Sequence, residues 1–145
     1  IRYDRMLFSS MMYPADYGFI PETLALDGDP LDVLVLVTEP TFPGCVMEVK
    51  PIGVFHMADD KGPDEKVICV PISDPIWNKL NDLSDINSHL LKEIEHFFQV
   101  YKDLENKQVD VEGWGDVHEA RNILKECIDR FNALENKPEG LFSIR

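Results

Sequence analysis

The sequence predicts an α+β fold in which a small closed β-sheet is followed by two covering α-helices. Two observations lead to this prediction. Before position 76, most of the ten prolines and eight glycines punctuate short apolar runs, which is typical of strands and turns. After position 84, apolar residues recur at helical spacing. A length of 145 residues fits one domain, so we expect a single domain over residues 1–145.

Three apolar runs predict the main strands of the sheet, at residues 31–37, 49–57 and 67–72. Because residues 33–37 are apolar without interruption, we expect them to form an interior strand that is covered on both faces. Residues 59–64, four charged residues with a glycine and a proline, lie between the second and third runs and predict a hairpin loop. Asp64 and Lys66 are two residues apart on the outgoing strand, so their side chains should point the same way.

Two helices are predicted in the second half. The first covers about residues 84–107, and the second begins at about Asp116 and carries an apolar stripe as far as Leu134. Asp116 followed by Glu119 resembles a capping arrangement at the start of the second helix. Residues 135–145 contain a proline and a glycine and predict an extended tail.

Composition and charge exclude several classes of protein. The formal net charge is -13, from 27 acidic and 14 basic residues, whereas a nucleic-acid-binding protein needs a basic surface. No apolar stretch is long enough to cross a membrane, and no signal-peptide pattern is present. Cys45, Cys69 and Cys127 are widely spaced, which suits buried thiols rather than a disulfide framework or a zinc site. These features predict a cytoplasmic protein.

Residues 27–32, with the sequence Asp-Gly-Asp-Pro-Leu-Asp, are the most informative segment of the chain. Asp27, Asp29 and Asp32 crowd one tight turn, where neighbouring carboxylates repel one another. A bound hard cation with oxygen ligands is the usual compensation, although an arbitrary turn of this kind is more often simply solvated. The turn is therefore a candidate metal site.

A second acidic segment, residues 59–64, adds Asp59, Asp60 and Asp64. Six aspartates exceed the needs of one Mg²⁺, which usually takes one or two protein carboxylates, so two or more metal ions that share carboxylates fit better. The spacing does not match an EF-hand, and the four histidines are too scattered to predict a zinc site. His89 and His96 are expected on the surface of the first helix.

Three basic residues complete the candidate site. Arg5, Lys66 and Lys102 could bind an anion, although each could also be an ordinary surface charge. A highly charged anionic substrate can approach six carboxylates only where metal ions and basic groups invert the local field. Carboxylates, hard metal ions and isolated basic side chains together indicate phosphoryl transfer.

The chain resembles the family I soluble inorganic pyrophosphatases of the bacterial type. The resemblance is strongest at residues 27–35, which match the family's defining motif. It extends in the family's order over nearly the whole chain, through residues 4–5, 13–21, 51–54, 59–66, 97–105 and 111–114. The family resemblance implies a small closed barrel of OB-like shape with two flanking helices. It also implies Mg²⁺-dependent hydrolysis of pyrophosphate to two phosphates, with several Mg²⁺ ions in each site.

Roles for the site residues follow from the resemblance, position by position. Asp29 would be the catalytic base that takes a proton from the attacking water. The implied metal ligands are Asp27, Asp32 and Asp64, with Asp32 bridging, and Asp59, which with Asp64 would bind further Mg²⁺ that arrives with the substrate. The implied phosphate contacts are Arg5, Lys66, Tyr101 and Lys102, and the side chains that would line the site are Tyr13 and Tyr17. Asp60 stands where relatives often carry Glu and is expected to have only a supporting role.

The resemblance also leaves alternatives open. It places a Lys and Glu residues before the Arg5 region, and this sequence starts later, so we expect a domain that is incomplete at its N-terminus. The alternative function is an impaired or non-catalytic remnant that binds metal or phosphate. A nucleotide phosphohydrolase is a third hypothesis, which no nucleotide-binding Gly-rich loop supports. The expected partners are pyrophosphate or phosphate and a second copy of the chain, in a homo-oligomer that would be a hexamer in bacteria. Trp114 could be an oligomer contact or part of the core.

Overall fold

A computed structural model describes residue 3 and residues 5–137 of the chain. The elements in chain order are the strands β1 (Asp16–Phe19), β2 (Asp32–Val35), β3 (Val49–Asp59) and β4 (Gly62–Pro71), the helix α1 (Ser88–Val100), the strand β5 (Asp110–Gly115) and the helix α2 (Val117–Asn132). Single 3₁₀ turns at Leu83–Asp85 and Asp103–Glu105 lie on either side of α1. The predicted α+β class with two helices is confirmed.

The five strands form one mixed sheet in the order β1-β2-β4-β3-β5. The β2–β4 pair is parallel, and the other neighbouring strands are antiparallel. The predicted closure into a barrel is not observed for the described residues, because β1 pairs only with β2 and β5 pairs only with β3. Closure requires every strand to have a partner on both sides. The described sheet therefore keeps two edges, β1 and β5.

The core lies on both faces of β2. Leu34 packs on one face in an apolar cluster with the buried side chains of α1, including Ile94. Val33 and Val35 point to the other face and pack in a second cluster with Ala120 of α2. Successive residues of a strand face opposite sides of the sheet, and both sides of β2 are covered. Val33, Leu34 and Val35 are therefore all buried. The prediction of an interior strand covered on both faces is confirmed.

The β3–β4 hairpin is tighter than the sequence predicted. The expected six-residue loop is a turn of only two residues, Asp60 and Lys61, because Asp59 already pairs with Gly62. Gly62 has φ +114°, a conformation that L side chains rarely adopt, so glycine allows the chain to reverse at once. The consequence for the site is that Asp59 and Asp64 lie on strands, where the sheet fixes their positions.

Helix α1 is shorter than the predicted range 84–107. Asn87 caps its start, since the Asn87 side chain accepts a hydrogen bond from the His89 N–H at 2.8 Å. After Val100 the chain turns through the second 3₁₀ segment to Asn106, which adopts the left-handed conformation at φ 55°. This early exit presents Tyr101 and Lys102 at the end of the helix.

Helix α2 begins where the sequence predicted. The side chain of Asp116 accepts a hydrogen bond from the Glu119 N–H at 3.0 Å, which confirms the capping arrangement. Most of the predicted tail, residues 138–145, lies outside the described residues. Trp114 of β5 packs on Phe55 with 4.8 Å between ring centroids and donates to Glu95, so it contacts the core cluster. No helix in the described part of the chain is both long and apolar enough to cross a membrane.

Candidate active site

One cleft of about 1170 Å³ opens beside β1, β2 and the β3–β4 hairpin. All eleven predicted site residues line it. They are Arg5, Tyr13, Tyr17, Asp27, Asp29, Asp32, Asp59, Asp64, Lys66, Tyr101 and Lys102. They come from the N-terminal segment, the acidic turn, four strands and the end of α1, which span almost the whole described chain. Only the fold brings these distant residues together.

Lys66 lies at the centre of the site. Its Nζ donates to Asp32 Oδ2 at 2.8 Å and to Asp64 Oδ1 at 2.7 Å, which confirms that Asp64 and Lys66 point the same way. The parallel pairing of β2 with β4 sets Asp32 opposite Lys66. Only 1% of Lys66 is exposed, so its ammonium lies in a poorly solvated position between two carboxylates.

The pKa shifts in this group have opposing causes. Burial works to lower the pKa of Lys66, but the charges of Asp32 and Asp64 outweigh it and raise that pKa. Burial raises the pKa of Asp64, although Lys66 opposes the shift. Lys66 therefore stays an ammonium, and its charge is the local counterweight to two aspartates.

Tyr17 extends this group toward the edge of the sheet. Its hydroxyl donates to Asp32 Oδ2 and accepts a hydrogen bond from Lys66 Nζ at 3.3 Å. Burial, and then the neighbouring Asp32 charge, raise the pKa of Tyr17. Tyr17 therefore remains a protonated donor that orients the Asp32 carboxylate.

A second buried ion pair joins the end of α1 to the hairpin. Lys102 Nζ donates to Asp59 Oδ2 at 2.9 Å, and Lys102 is buried. Partial burial works to raise the pKa of Asp59, but hydrogen bonds from Lys102 and from the Lys61 N–H lower it. Burial likewise opposes a raised pKa for Lys102, and the hydrogen bond to Asp59 outweighs it. Both members of this pair are therefore charged.

The acidic turn differs from the hairpin. Asp27 and Asp29 are exposed, and neither forms an ion pair within the described part of the chain. Asp27 Oδ1 accepts a hydrogen bond from the Asp29 N–H at 3.0 Å, which shapes the turn. Gly28 has φ +89°, so a glycine suits the position between the two aspartates. Both carboxylates face the cleft, and no basic side chain of residues 5–137 pairs with them.

Aromatic side chains form the floor of the cleft. The Tyr13 ring lies 5.1 Å from the Tyr17 ring and 4.8 Å from the Phe97 ring, measured between centroids. Tyr101 stacks on Phe97 at 5.3 Å and is buried, as expected for its place on the apolar stripe of α1. Burial raises the pKa of Tyr13 and of Tyr101. Both hydroxyls therefore stay protonated and can donate to an anion.

Three charged residues that sequence reasoning did not assign also line the cleft, namely Asp16, Lys61 and Lys107. Asp16 Oδ2 accepts hydrogen bonds from the Thr41 N–H at 3.0 Å and from the Thr41 hydroxyl, so it attaches the segment after β2 to β1. Lys107 comes near Lys102 because the 3₁₀ turn folds the chain back, with the Lys107 N–H bonded to the Lys102 carbonyl at 3.4 Å. The sequence contains only a weak signal for these three residues, because a single charged residue beside a motif is usually an ordinary surface residue.

The cysteines and histidines stay outside the site. His89 and His96 are exposed on α1, and His89 pairs with Glu93, which confirms their predicted surface position. Cys69 and Cys127 are buried free thiols as expected, whereas Cys45 is exposed. The prediction of a buried thiol at Cys45 is wrong, because the loop between β2 and β3 leaves that side chain on the surface.

The donor set of the cleft fits a hard cation. Seven aspartates and five basic side chains are among the described residues that line it, which leaves an excess of negative charge. Carboxylate oxygens are the ligands that Mg²⁺ prefers. No three His, Cys, Asp or Glu side chains of residues 5–137 form a preassembled metal group, since Lys66 and Lys102 hold three of the carboxylates. Cations that displaced these contacts would release oxygens that already face the cleft.

This fold and cleft define a class of protein: an α+β enzyme whose carboxylates and buried lysines face one cleft suited to phosphate oxygens. Comparison with known proteins specifies the class further. A family model described as inorganic pyrophosphatase matches residues 1–132. An inorganic pyrophosphatase of Methanosarcina mazei is 59% identical over 131 residues, which cover 90% of this chain and 78% of that protein. One from Halalkalibacterium halodurans is 52% identical over 128 residues, covering 88% of this chain and 78% of that protein.

Solved structures agree with the sequence comparisons. The crystal structure of inorganic pyrophosphatase from Thermus thermophilus superposes with a TM-score of 0.88 at 45% identity, covering 91% of this chain and 78% of that one. The inorganic pyrophosphatase of Helicobacter pylori gives a TM-score of 0.87 at 42% identity, covering 90% and 78%. The chain belongs to the inorganic pyrophosphatase family, a family of hydrolases.

Proposed function

We propose that this chain hydrolyses inorganic pyrophosphate to two phosphates, by direct attack of water and with Mg²⁺ as cofactor. The observation that carries the proposal is the cleft, which unites all eleven residues that match the family's motifs. The family match and the high identities of named pyrophosphatases support the same activity. A non-catalytic remnant is less favoured, because none of these eleven positions has lost its chemistry.

Four aspartates are proposed to hold Mg²⁺. These are Asp27 and Asp32 of the acidic turn and Asp59 and Asp64 of the hairpin, all facing one cleft. When bound, Mg²⁺ would neutralise phosphoryl oxygens and lower the pKa of a coordinated water. The exposed Asp27 is ready to bind a cation, whereas Asp32, Asp59 and Asp64 must first exchange a lysine contact.

The basic and phenolic groups are proposed to bind the substrate. Lys66 and Lys102 are held in place by aspartates, so they present ammonium donors without a large entropy cost on binding. Phosphoryl transfer spreads charge over several oxygens, and preorganised donors stabilise that charge more strongly than water does. Arg5 and Tyr101 line the same cleft and are assigned to phosphate oxygens, and Tyr13 and Tyr17 to shaping the site.

Asp29 is proposed as the base that takes the proton from the attacking water. It is exposed to the cleft and has no basic partner in the described part of the chain, so its carboxylate is available to accept a proton. Asp59 is less suitable, because its contact with Lys102 holds its pKa low. Asp60 lies at the hairpin turn and keeps a supporting role in this proposal.

Wider features of the protein are also proposed from the family resemblance. We propose that residues 1–145 belong to a single domain, that the sheet closes into an OB-like barrel, and that the protein is cytoplasmic. We also propose a homo-oligomer, a hexamer if the source is bacterial.

The activity is tested by measuring phosphate released from pyrophosphate with and without Mg²⁺. The assay uses this chain, with ATP as a second substrate. We expect Mg²⁺-dependent phosphate release from pyrophosphate and much less from ATP. No phosphate release from pyrophosphate would refute the proposal, and a preference for ATP would favour the nucleotide phosphohydrolase.

A further inference from the structure

Thr23 is a buried polar residue that the reaction proposed above does not use. Three polar or charged residues are buried in the described part of the chain, and Lys66 and Lys102 are the other two. Both lysines face the cleft, whereas Thr23 is 0% exposed and lies among none of its lining residues. A buried hydroxyl must find partners to offset its desolvation, so its contacts show what it holds.

The hydroxyl of Thr23 joins the two ends of the loop formed by residues 20–31, which carries Asp27 and Asp29. It donates to the Ile20 carbonyl, where the chain enters, and accepts a hydrogen bond from the Leu31 N–H at 2.9 Å, where the chain leaves. The Ile20 N–H also donates to the Leu31 carbonyl at 2.9 Å. Leu31 is followed directly by Asp32. One hydroxyl therefore fixes the base of the loop that carries Asp27 and Asp29.

Helix α2 supports the same loop from outside. The Leu24 N–H donates to the Cys127 carbonyl at 3.0 Å, and Arg130 Nη1 donates to the Leu24 carbonyl. Within the loop, the Ala25 N–H donates to the Asp29 carbonyl at 2.8 Å. The turn is therefore held by its base and by its outer side, so its exposed carboxylates keep a fixed direction.

We propose that Thr23 is a positioning residue for the metal-binding turn, and that Arg130 assists it. The Thr23 hydroxyl sets the separation of Ile20 from Leu31 and thereby places Asp27 and Asp29 relative to Asp32. This inference rests on the function proposed above, because it assumes that these carboxylates bind Mg²⁺ and move a proton. Groups that orient metal ligands typically change metal affinity or activity by about 10- to 100-fold when they are removed.

The test compares Thr23→Val, which keeps the shape and removes the hydroxyl, with Thr23→Ser, which keeps the hydroxyl. Mg²⁺ binding is measured by calorimetry without substrate, together with amide hydrogen exchange of residues 24–31. We expect Thr23→Val to weaken Mg²⁺ binding by about 10-fold and to speed exchange at the Leu31 amide, and Thr23→Ser to stay near wild type. Arg130→Met should also weaken Mg²⁺ binding and speed exchange at the Leu31 amide, but by less. If Thr23→Val does not fold, the result for Arg130→Met tests the inference in its place.

A control separates positioning from simple loss of stability. Ile52 is fully buried at the far end of β3 and lies outside the cleft, so Ile52→Val lowers the melting temperature without touching the turn. We expect it to leave Mg²⁺ affinity unchanged. Wild-type Mg²⁺ affinity in Thr23→Val, or equal losses in Thr23→Val and Thr23→Ser, would overturn the inference. Absent Mg²⁺ binding and absent pyrophosphate hydrolysis in the wild type would instead overturn the proposed function.

Discussion

The two acidic segments of the cleft differ in how their charge is balanced. In the hairpin, Asp59 and Asp64 pair with buried lysines at 2.9 and 2.7 Å. In the acidic turn, Asp27 and Asp29 are exposed and form no ion pair within the described residues. Asp32, at the end of the turn, pairs with Lys66 at 2.8 Å. Both segments are similarly rich in aspartate in the sequence, so this difference arises only when the chain folds.

Within the described residues, lysines therefore neutralise Asp32, Asp59 and Asp64 in advance. They do not neutralise Asp27 and Asp29. Carboxylates that face a cleft without basic partners repel one another, and a cation relieves that repulsion directly. A cation that binds at the hairpin must instead displace an ammonium, which can then move to a phosphate oxygen. On the proposed function, we therefore expect Asp27 to bind Mg²⁺ before substrate, and Asp32, Asp59 and Asp64 to bind it together with an anion.

The substitution with the largest expected effect tests whether Asp29 of the acidic turn is the catalytic base. Asp29→Asn removes the proton acceptor and keeps the shape of the side chain. Because general-base catalysis typically contributes about 10²- to 10⁴-fold, we expect kcat for pyrophosphate to fall by at least about 100-fold. The melting temperature should hardly change, since Asp29 is exposed. Steady-state kinetics and thermal unfolding of the same preparation measure the two quantities.

Asp110→Asn is the matched control for this change. Asp110 is an exposed aspartate at the start of β5 and lies outside the cleft. We expect its kcat to equal that of the wild type. Unchanged turnover in Asp29→Asn would exclude Asp29 as the base.

A smaller effect compares metal binding at the two segments. Asp27→Asn should weaken Mg²⁺ binding without substrate by about tenfold, or about 1.4 kcal/mol. Asp59→Asn should weaken it less, because Lys102 already neutralises the Asp59 carboxylate and repels an arriving cation. Calorimetric titration of both variants gives the order. An equal or larger loss in Asp59→Asn would show that the lysine pairing does not distinguish the two segments.

The sequence predicted the interior of the fold better than its edges. Strand β2 was clear because three consecutive buried apolar residues need cover on both faces. β1 and β5 were missed, because each is short and carries glycine with exposed polar or aromatic residues, which weakens a strand pattern. The tight hairpin was also missed, since four charged residues with a glycine and a proline among them do not reveal where strand pairing ends.

The site residues could be predicted from sequence motifs, but most of the contacts between their side chains could not. Asp64 and Lys66 are two apart on one strand, so their shared direction followed from strand geometry. The Lys102–Asp59 pair joins residues 43 positions apart. The hydrogen bonds of the Thr23 hydroxyl to Ile20 and Leu31 depend on the path of the loop between them. Contacts of this kind are set by tertiary packing, and a single sequence carries no signal for them.

The smallest effect concerns acid stability of the metal-free protein. The pKa of Asp59 is lowered in the folded state, against about 3.9 in an unfolded chain. Its stabilising contribution is therefore present above about pH 4 and is lost as the pH falls through the lower folded pKa. Asp59→Asn lacks this contribution, so we expect its free energy of unfolding to lie below that of the wild type at pH 6. The gap should narrow toward pH 3, as measured by urea unfolding in EDTA. Asp110→Asn, which removes an exposed aspartate outside the cleft, should show no such gap. A gap for Asp59→Asn that stayed constant with pH would mean that Lys102 does not stabilise the ionised carboxylate.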